Sequence, residues 1–369
     1  MSSRLHGTLL AVDARPLSTP HGRFRAHRFH DLATERPVLA LACGTITGRE
    51  PVLARVHSSC VTSEVYGACD CDCAEQLDAA LAAIAREGRG VLFYLVQEGR
   101  GAGFAAKALD RMLVQASGNR LTTFEAFERL GLGHDHRHYD QVAAASRLLG
   151  MTAPMRLLSN NPDKLAQLRA AGVRIAGRRA LEVDASPFSA HYLTAKSQSG
   201  HLLAAAEPTM ATLPEAVTFR QPRPVRDAPH VLELASYLLP LRAPAPAWFR
   251  LHLYLDTETC RERVVLTHGA RRRRPSVPVL HVQRDLLLER FPLRRGGLAR
   301  EWARVRTIMV RHGAGCALFL PEGDAGDGSA AALLANHLRG GRAIATGPLE
   351  APMRIGLTRA GVRLERAAA

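Results

Sequence analysis

The sequence predicts an α/β (α+β) fold that occurs twice in the chain. Apolar strands alternate with amphipathic helices through the first half, the pattern of a helix-flanked sheet. A long stretch of the first half recurs in degraded form in the second, and a proline-rich segment without periodicity lies between them.

The elements can be justified in chain order. PVLARVH at 51–57 reads as a buried strand, and AEQLDAALAAIARE at 74–87 carries apolar residues at helical spacing. VLFYLV follows the turn Gly88-Arg89-Gly90 as a second buried strand. YDQVAAASRLLG at 139–150 is helical and MRLLS at 155–159 is a strand. PDKLAQLRAAG is a helix opened by Pro162 and closed by Gly172. From Ala204 to Ala247 the prolines in EPTMATLPEA, RQPRPVRDAP and RAPAPAW suggest a connecting segment. FRAHRFHDLATERPVLALACG, from Phe24, then recurs as FRLHLYLDTETCRERVVLTHG, from Phe249. AAIAREGRGVLFYLVQEG recurs as RTIMVRHGAGCALFLPEGD. A repeat of this length indicates a duplicated domain, with one copy in 1–203, a linker over 204–247 and the second copy in 248–369.

Composition narrows the partners. The formal charge of +15 suggests an anionic ligand, while aromatic residues at 5% leave no evident stacking platform and argue against nucleic acid. No apolar run approaches the ~18 residues of a membrane span, and the opening MSSRLHGTLL carries no signal-like segment, so the chain reads as cytoplasmic.

Four of the seven cysteines, Cys60, Cys69, Cys71 and Cys73, fall within HSSCVTSEVYGACDCDC. Residues two apart on an extended segment point the same way, so the CxCxC run can aim sulfurs at one point while Cys60 closes from the side. Such a cluster suits a soft metal, above all zinc. A disulfide is disfavoured in a reducing compartment. A closed four-sulfur zinc and an open site with three sulfurs and one water both remain; only the open one can make water a nucleophile near neutral pH. The second copy has no counterpart, because HVQRDLLLERFPLRRGGLAREW stands at the matching place.

RVHSSC before the cluster, Gln76 after it, QEGRGAG after a strand, HDHR between helices and SNNPDK between a strand and a helix form an ordered set. From TPHGRF near Thr19 to AKSQSGHLL near Leu203 this set resembles GTP cyclohydrolase II, a zinc enzyme of riboflavin biosynthesis. The resemblance implies a cyclohydrolase II-like mixed sheet flanked by helices and zinc held by Cys60, Cys71 and Cys73, with Cys69 a spare thiol. It implies GTP contacts at Arg55, Val56, His57, Ser58, Ser59, Gln76, Glu98, Gly99, Arg100, Thr123, Ser159 and Lys164. It places a proton acceptor at Asp135 and a group acting on the α-phosphate at Arg137, with magnesium on the triphosphate. Taken without the resemblance, HDHRHYD reads equally as a solvated turn or a histidine-rich metal site. The implied reaction opens the guanine imidazole at C8 and releases formate and pyrophosphate, giving a 2,5-diamino-6-ribosylamino-pyrimidinone 5′-phosphate. The family's homodimer suggests either a homodimer here or an intrachain pseudo-dimer of the two copies.

The chain departs from the family pattern at several places. Ser59 replaces a glutamate, Asp70 an arginine and Ala74 a glycine, QEGRNIGL has become QEGRGAGF, and Arg111 stands where an active-site tyrosine is expected. Arg111 therefore raises a truncated reaction that keeps the formyl group. A non-catalytic nucleotide or nucleic-acid binder is the other alternative, for which the run Arg271–Arg274 is the sequence feature.

Overall fold

The structure, a computed structural model, describes residues 4–133, 135–184, 186–203, 211–242, 245–269, 277–292, 297–324, 326–338 and 341–366. His134 and the run Arg271–Arg274 lie outside these residues.

The first sheet contains β1 (Leu5–His6), β2 (Leu9–Thr19), β3 (Gly22–Asp31), β4 (Arg36–Cys43), β5 (Val52–Ser58), β6 (Gly90–Leu95), β7 (Met155–Leu158) and β8 (Ile175–Arg179). Their spatial order is β1-β2-β3-β4-β6-β5-β7-β8. Its helices are α1 (Val61–Glu64), α2 (Cys73–Glu87), α3 (Phe104–Ala116), α4 (Thr123–Arg129), α5 (Asp140–Leu148), α6 (Pro162–Ala170) and α7 (Ala190–Gln198). The second sheet contains β9 (Arg223–Val225), β10 (Ala228–Leu241), β11 (Ala247–Asp256), β12 (Arg261–His268), β13 (Val279–Asp285), β14 (Gly315–Pro321), β15 (Gly341–Ala345) and β16 (Val362–Arg366). Helices α8 (Leu298–His312), α9 (Gly328–Leu338) and α10 (Ala351–Arg359) cover it.

The duplicated mixed α/β fold is met in detail. Read from β9, the second sheet runs β9-β10-β11-β12-β14-β13-β15-β16, the same order as the first. In both, the central parallel pair (β5 with β6, β13 with β14) abuts an antiparallel neighbour. Local chemistry repeats as well. Glu35 and Cys260 each hold a left-handed φ of 54° in the hairpin before β4 and β12. A Cβ on Gly44 would fall 2.2 Å from the carbonyl oxygen of Gly88, and one on Gly269 would fall 2.1 Å from that of Gly313. By sheet register Leu286 takes the place of Cys60 and Leu298, opening α8, that of Cys73. At these two positions the second copy therefore has leucine where the first has cysteine.

One expectation changes. The stretch 204–247, read as a linker, supplies β9 and β10, so the second sheet begins at Arg223. Proline misled the reading because Pro224 lies on a short edge strand and Pro240 sits where no donor is needed.

Four principal clusters form the core. Val142, Leu157 and Leu168 pack beneath α5 and α6 on one face of the first sheet, and Leu77, Leu81 and Ile84 of α2 pack on the other. Leu333, Leu334 and Leu357 of α9 and α10 cover one face of the second sheet. The last cluster is shared: Val65, Tyr66, Ala68, Ala108 and Met112 of the first half interleave with Leu251, Phe249 and Trp302 of the second. Phe291 in turn enters the first half, edge-on to Tyr94 with ring centroids 5.0 Å apart. Each half thus inserts the segment after its central parallel strand into the other, the reciprocal pattern of a two-fold interface. No helix among the described residues is long and apolar enough to cross a membrane.

Candidate zinc and nucleotide site

The three sulfurs are delivered by chain ends of regular elements. Cys60 is the N-cap of α1 directly after β5, Cys71 lies in a bend, and Cys73 is the first residue of α2. The extended CxCxC run expected from the sequence is therefore replaced by a bend entering a helix, and the sulfurs converge because α2 starts there. All three lie within 4.8 Å of one another, with Cys60 Sγ 3.6 Å from Cys71 Sγ. Cys69 points elsewhere: its thiol donates to the Pro240 carbonyl at 3.3 Å, and burial pushes it up to about 11. Hydrogen bonds from Cys71 and Cys73, then the charge of Lys107, pull the Cys60 thiol well below its usual range. Three convergent thiols, those of Cys60 and Cys71 buried and that of Cys73 half-buried, with Cys60 already biased toward thiolate, fit a soft divalent metal such as zinc.

Behind the sulfurs, the buried Glu64 carboxylate accepts from the Cys60 backbone N–H at 3.0 Å, His57 Nε2 at 2.8 Å and the Tyr94 hydroxyl. Burial lowers the His57 pKa, so its ring is neutral at pH 7. Lys107 Nζ donates to Cys60 Sγ at 3.1 Å and to Glu98 Oε1 at 2.7 Å, while Glu98 Oε2 accepts from the Val61 N–H. Burial nonetheless raises Glu98 to about 7. Both Glu98 oxygens are thus engaged within the protein.

An open cleft lies over the sulfurs. It brings together Arg55, His57, Ser58, Ser59, Gln76, Glu98, Gly99, Arg100, Arg111, Thr123, Arg137, Ser159 and Lys164 from the expected set. Val56 does not join them; its side chain lies in the core and its carbonyl accepts from Lys164 Nζ at 3.1 Å. Asp135 stands outside the lining, held by Arg137, whose Nε lies 2.9 Å from Oδ1. Burial would raise the Asp135 carboxyl, but the bonds and charge of Arg137 outweigh it and hold the group ionised. The EGRG turn carries this loop: Arg100 takes a left-handed φ of 55°, and its carbonyl accepts from His136 N at 2.9 Å. A Cβ on Gly101 would fall 2.6 Å from the His136 carbonyl oxygen, so glycine is required there.

The lining holds buried polar atoms without protein partners: His57 Nδ1, Ser58 Oγ, Ser59 Oγ and Arg100 Nη1. Unsatisfied buried groups of this kind suit a hydrogen-bonding ligand. Lys164, Arg137, Lys196 and Arg55 converge in the same cleft. Burial first, then Arg55 and Arg137, push Lys164 well below its usual range. A polyanion would restore it, since opposite charge favours the ammonium. Triphosphate binding is expected to take up a proton where the free-protein Lys164 is neutral, so affinity falls as pH rises through that depressed pKa. Calorimetry in two buffers of different ionisation enthalpy measures the uptake; zero uptake at every pH would refute it.

Sequence reasoning missed Lys196, Tyr192 and Asp72. Lys196 Nζ bonds Asp72 Oδ1 at 2.8 Å, Asp72 accepts from Gln76 Nε2, and Gln76 Oε1 accepts from Arg55 at 2.6 Å. The signal for Lys196 lay in AKSQSGHLL, the end of the resembling stretch, and that for Asp72 in the CDCDC run itself. The structure also joins two of the departures: Arg111 faces Asp70 at 3.7 Å and lies 5.1 Å from the Tyr192 ring centroid.

The family model of GTP cyclohydrolase II matches residues 11–180. A GTP cyclohydrolase-2 of Azotobacter vinelandii is 43% identical over 197 residues, covering 53% of this chain and 93% of that protein. One from Escherichia fergusonii is 44% identical over 200 residues, covering 54% and 99%. Among solved structures, RibBX, a two-domain 3,4-dihydroxy-2-butanone 4-phosphate synthase from A. baumannii, aligns with a TM-score of 0.29 and 18% identity, over 49% of this chain and 42% of its own, too loosely to bear on fold or function.

Proposed function

The chain belongs to the GTP cyclohydrolase II family and is a hydrolase acting on GTP, and from this premise we propose that it opens the guanine ring at a zinc held by Cys60, Cys71 and Cys73. The observation that carries the reading is the convergence of those three sulfurs beneath a cationic cleft. When bound there, zinc would supply a water acidified to a pKa near ~7 as the nucleophile for guanine C8. Cys60, Cys71 and Cys73 would hold the metal, since Cys69, bonded to Pro240, leaves the set of converging sulfurs at three.

The chain's own residues would do the rest. Lys164, Lys196 and Arg55 neutralise the triphosphate, which carries magnesium. His57 Nδ1 and the Ser58 and Ser59 hydroxyls offer hydrogen bonds to the base and ribose. Asp135, ionised by its pairing with Arg137, accepts the proton of the attacking water once substrate draws Arg137 toward the α-phosphate. A second water hydrolyses the formamide to release formate, a third replaces pyrophosphate at the α-phosphorus, and a 2,5-diamino-6-ribosylamino-pyrimidinone 5′-phosphate remains, the product expected in riboflavin synthesis.

The Arg111–Asp70 pair favours a second reading. A cation held in the cleft wall where the family has a tyrosine changes the group facing the opened ring, so hydrolysis stops at the formylamino pyrimidine. Mass spectrometry with a formate assay separates the two: one formate per GTP supports the complete reaction, and a product retaining the formyl mass supports the truncated one. Unchanged GTP would refute both.

A further inference from the structure

The zinc-ligand loop is held from the second half of the chain. In an antiparallel strand, alternate residues turn their peptide groups to opposite edges. Along β10, the even residues from Ser236 to Pro240, and Arg242 just after the strand, face away from β11, and β9 covers only the other end of the strand. The first half satisfies this open edge group by group. Ser236 N–H reaches Met112 Sδ at 3.4 Å, and Gln115 of α3 bonds both the N–H (2.8 Å) and the carbonyl (2.7 Å) of Leu238. The Pro240 carbonyl accepts from Cys69 N–H at 3.0 Å, and Arg242 N–H donates to the Gly67 carbonyl at 2.8 Å. Ala68 pairs with Leu241 as an antiparallel bridge. Residues 67–69 thus add to the edge of the second sheet, two residues before Cys71.

A second grip comes from α8. Trp302 Nε1 and Arg306 Nη1 both donate to the Tyr66 carbonyl, at 2.9 and 2.8 Å. Arg306 is buried at 8% exposure, and among the described residues no carboxylate lies within ion-pairing distance of it. A buried guanidinium is costly without a partner, so its place is explained by the carbonyl it holds. Gly67 permits the approach: a Cβ there would fall 1.7 Å from Arg306 Nη1.

We propose that Trp302 and Arg306 are positioning residues for the metal site, fixing the loop that carries Cys71 and Cys73 against Cys60 through the Tyr66 carbonyl and the β10 edge. The second half thereby acts as a built-in partner for a site to which it contributes no sulfur. This rests on the zinc reading above.

Arg306→Met and Trp302→Phe in the full chain test it, with zinc affinity measured by competition with a chromophoric chelator and coordination read from the spectrum of the cobalt-substituted protein. Loss of a group bonded directly to a metal ligand weakens binding about 10–100-fold; because Trp302 and Arg306 act through the Tyr66 carbonyl, the low end of that range, about 10-fold, is expected for each, with shifted cobalt bands. Leu280→Ala, in the core on the far face of the second sheet, is expected to lower the melting temperature and leave zinc affinity unchanged. If Trp302→Phe fails to fold, Arg306→Met, which keeps the apolar stem, carries the test. Wild-type zinc affinity in Arg306→Met, or an equal loss in Leu280→Ala, overturns the clamp alone. A wild-type chain that binds no zinc overturns the zinc reading and the clamp with it.

Discussion

A chain cut after Leu203 is expected to aggregate, or to hold zinc far more weakly than the whole protein. The cut strips the cover from Val65, Tyr66, Ala68, Ala108 and Met112, which the second half buries. At ~1.5–3 kcal/mol for each large apolar side chain, re-exposing Val65, Tyr66 and Met112 costs on the order of 5 kcal/mol. That is comparable with the whole net stability of a domain, roughly 5–15 kcal/mol. The cut also frees the carbonyls of Tyr66 and Gly67, which receive their donors from Trp302, Arg306 and Arg242. Size-exclusion chromatography and zinc analysis of residues 1–203 check this; a soluble fragment with full zinc affinity and GTP turnover would show that the second half is dispensable.

Cys71→Ser is expected to remove both zinc and turnover while leaving the fold intact. A hydroxyl stays protonated at neutral pH and is a poor ligand for a soft metal. Spread over four ligands, a zinc-site free energy of ~10–16 kcal/mol gives roughly 2.5–4 kcal/mol per ligand, or about 10²–10³-fold in affinity. Cys69→Ser makes the contrast, since that sulfur bonds the Pro240 carbonyl and faces away from the cluster. It is expected to keep its zinc.

Much of this architecture was legible in the sequence. Apolar periodicity located α2, α5, α6, β5, β6 and β7, because each buries a continuous stripe or strand. The repeat from Phe24 and Phe249 announced two equal sheets, and the structure reproduces it down to the left-handed residues Glu35 and Cys260. What stayed hidden depends on distant contacts. β10 carries Pro240, which reads as a break until the first half is seen covering that edge. Asp70 and Arg111 look like two unrelated departures, yet they face each other because α3 lies over the zinc loop. Lys196 gives no signal of its own until Asp72, which lies between Cys71 and Cys73 in the sequence, is seen to bond it in the cleft.

The most direct test is to titrate zinc into metal-free protein and follow GTP consumption and the mass of the product. The account predicts activity that rises in proportion to zinc, levels off at one zinc per chain and yields a ring-opened pyrimidine. GTP consumed at the same rate without zinc, or a plateau at two zinc ions per chain, would contradict it.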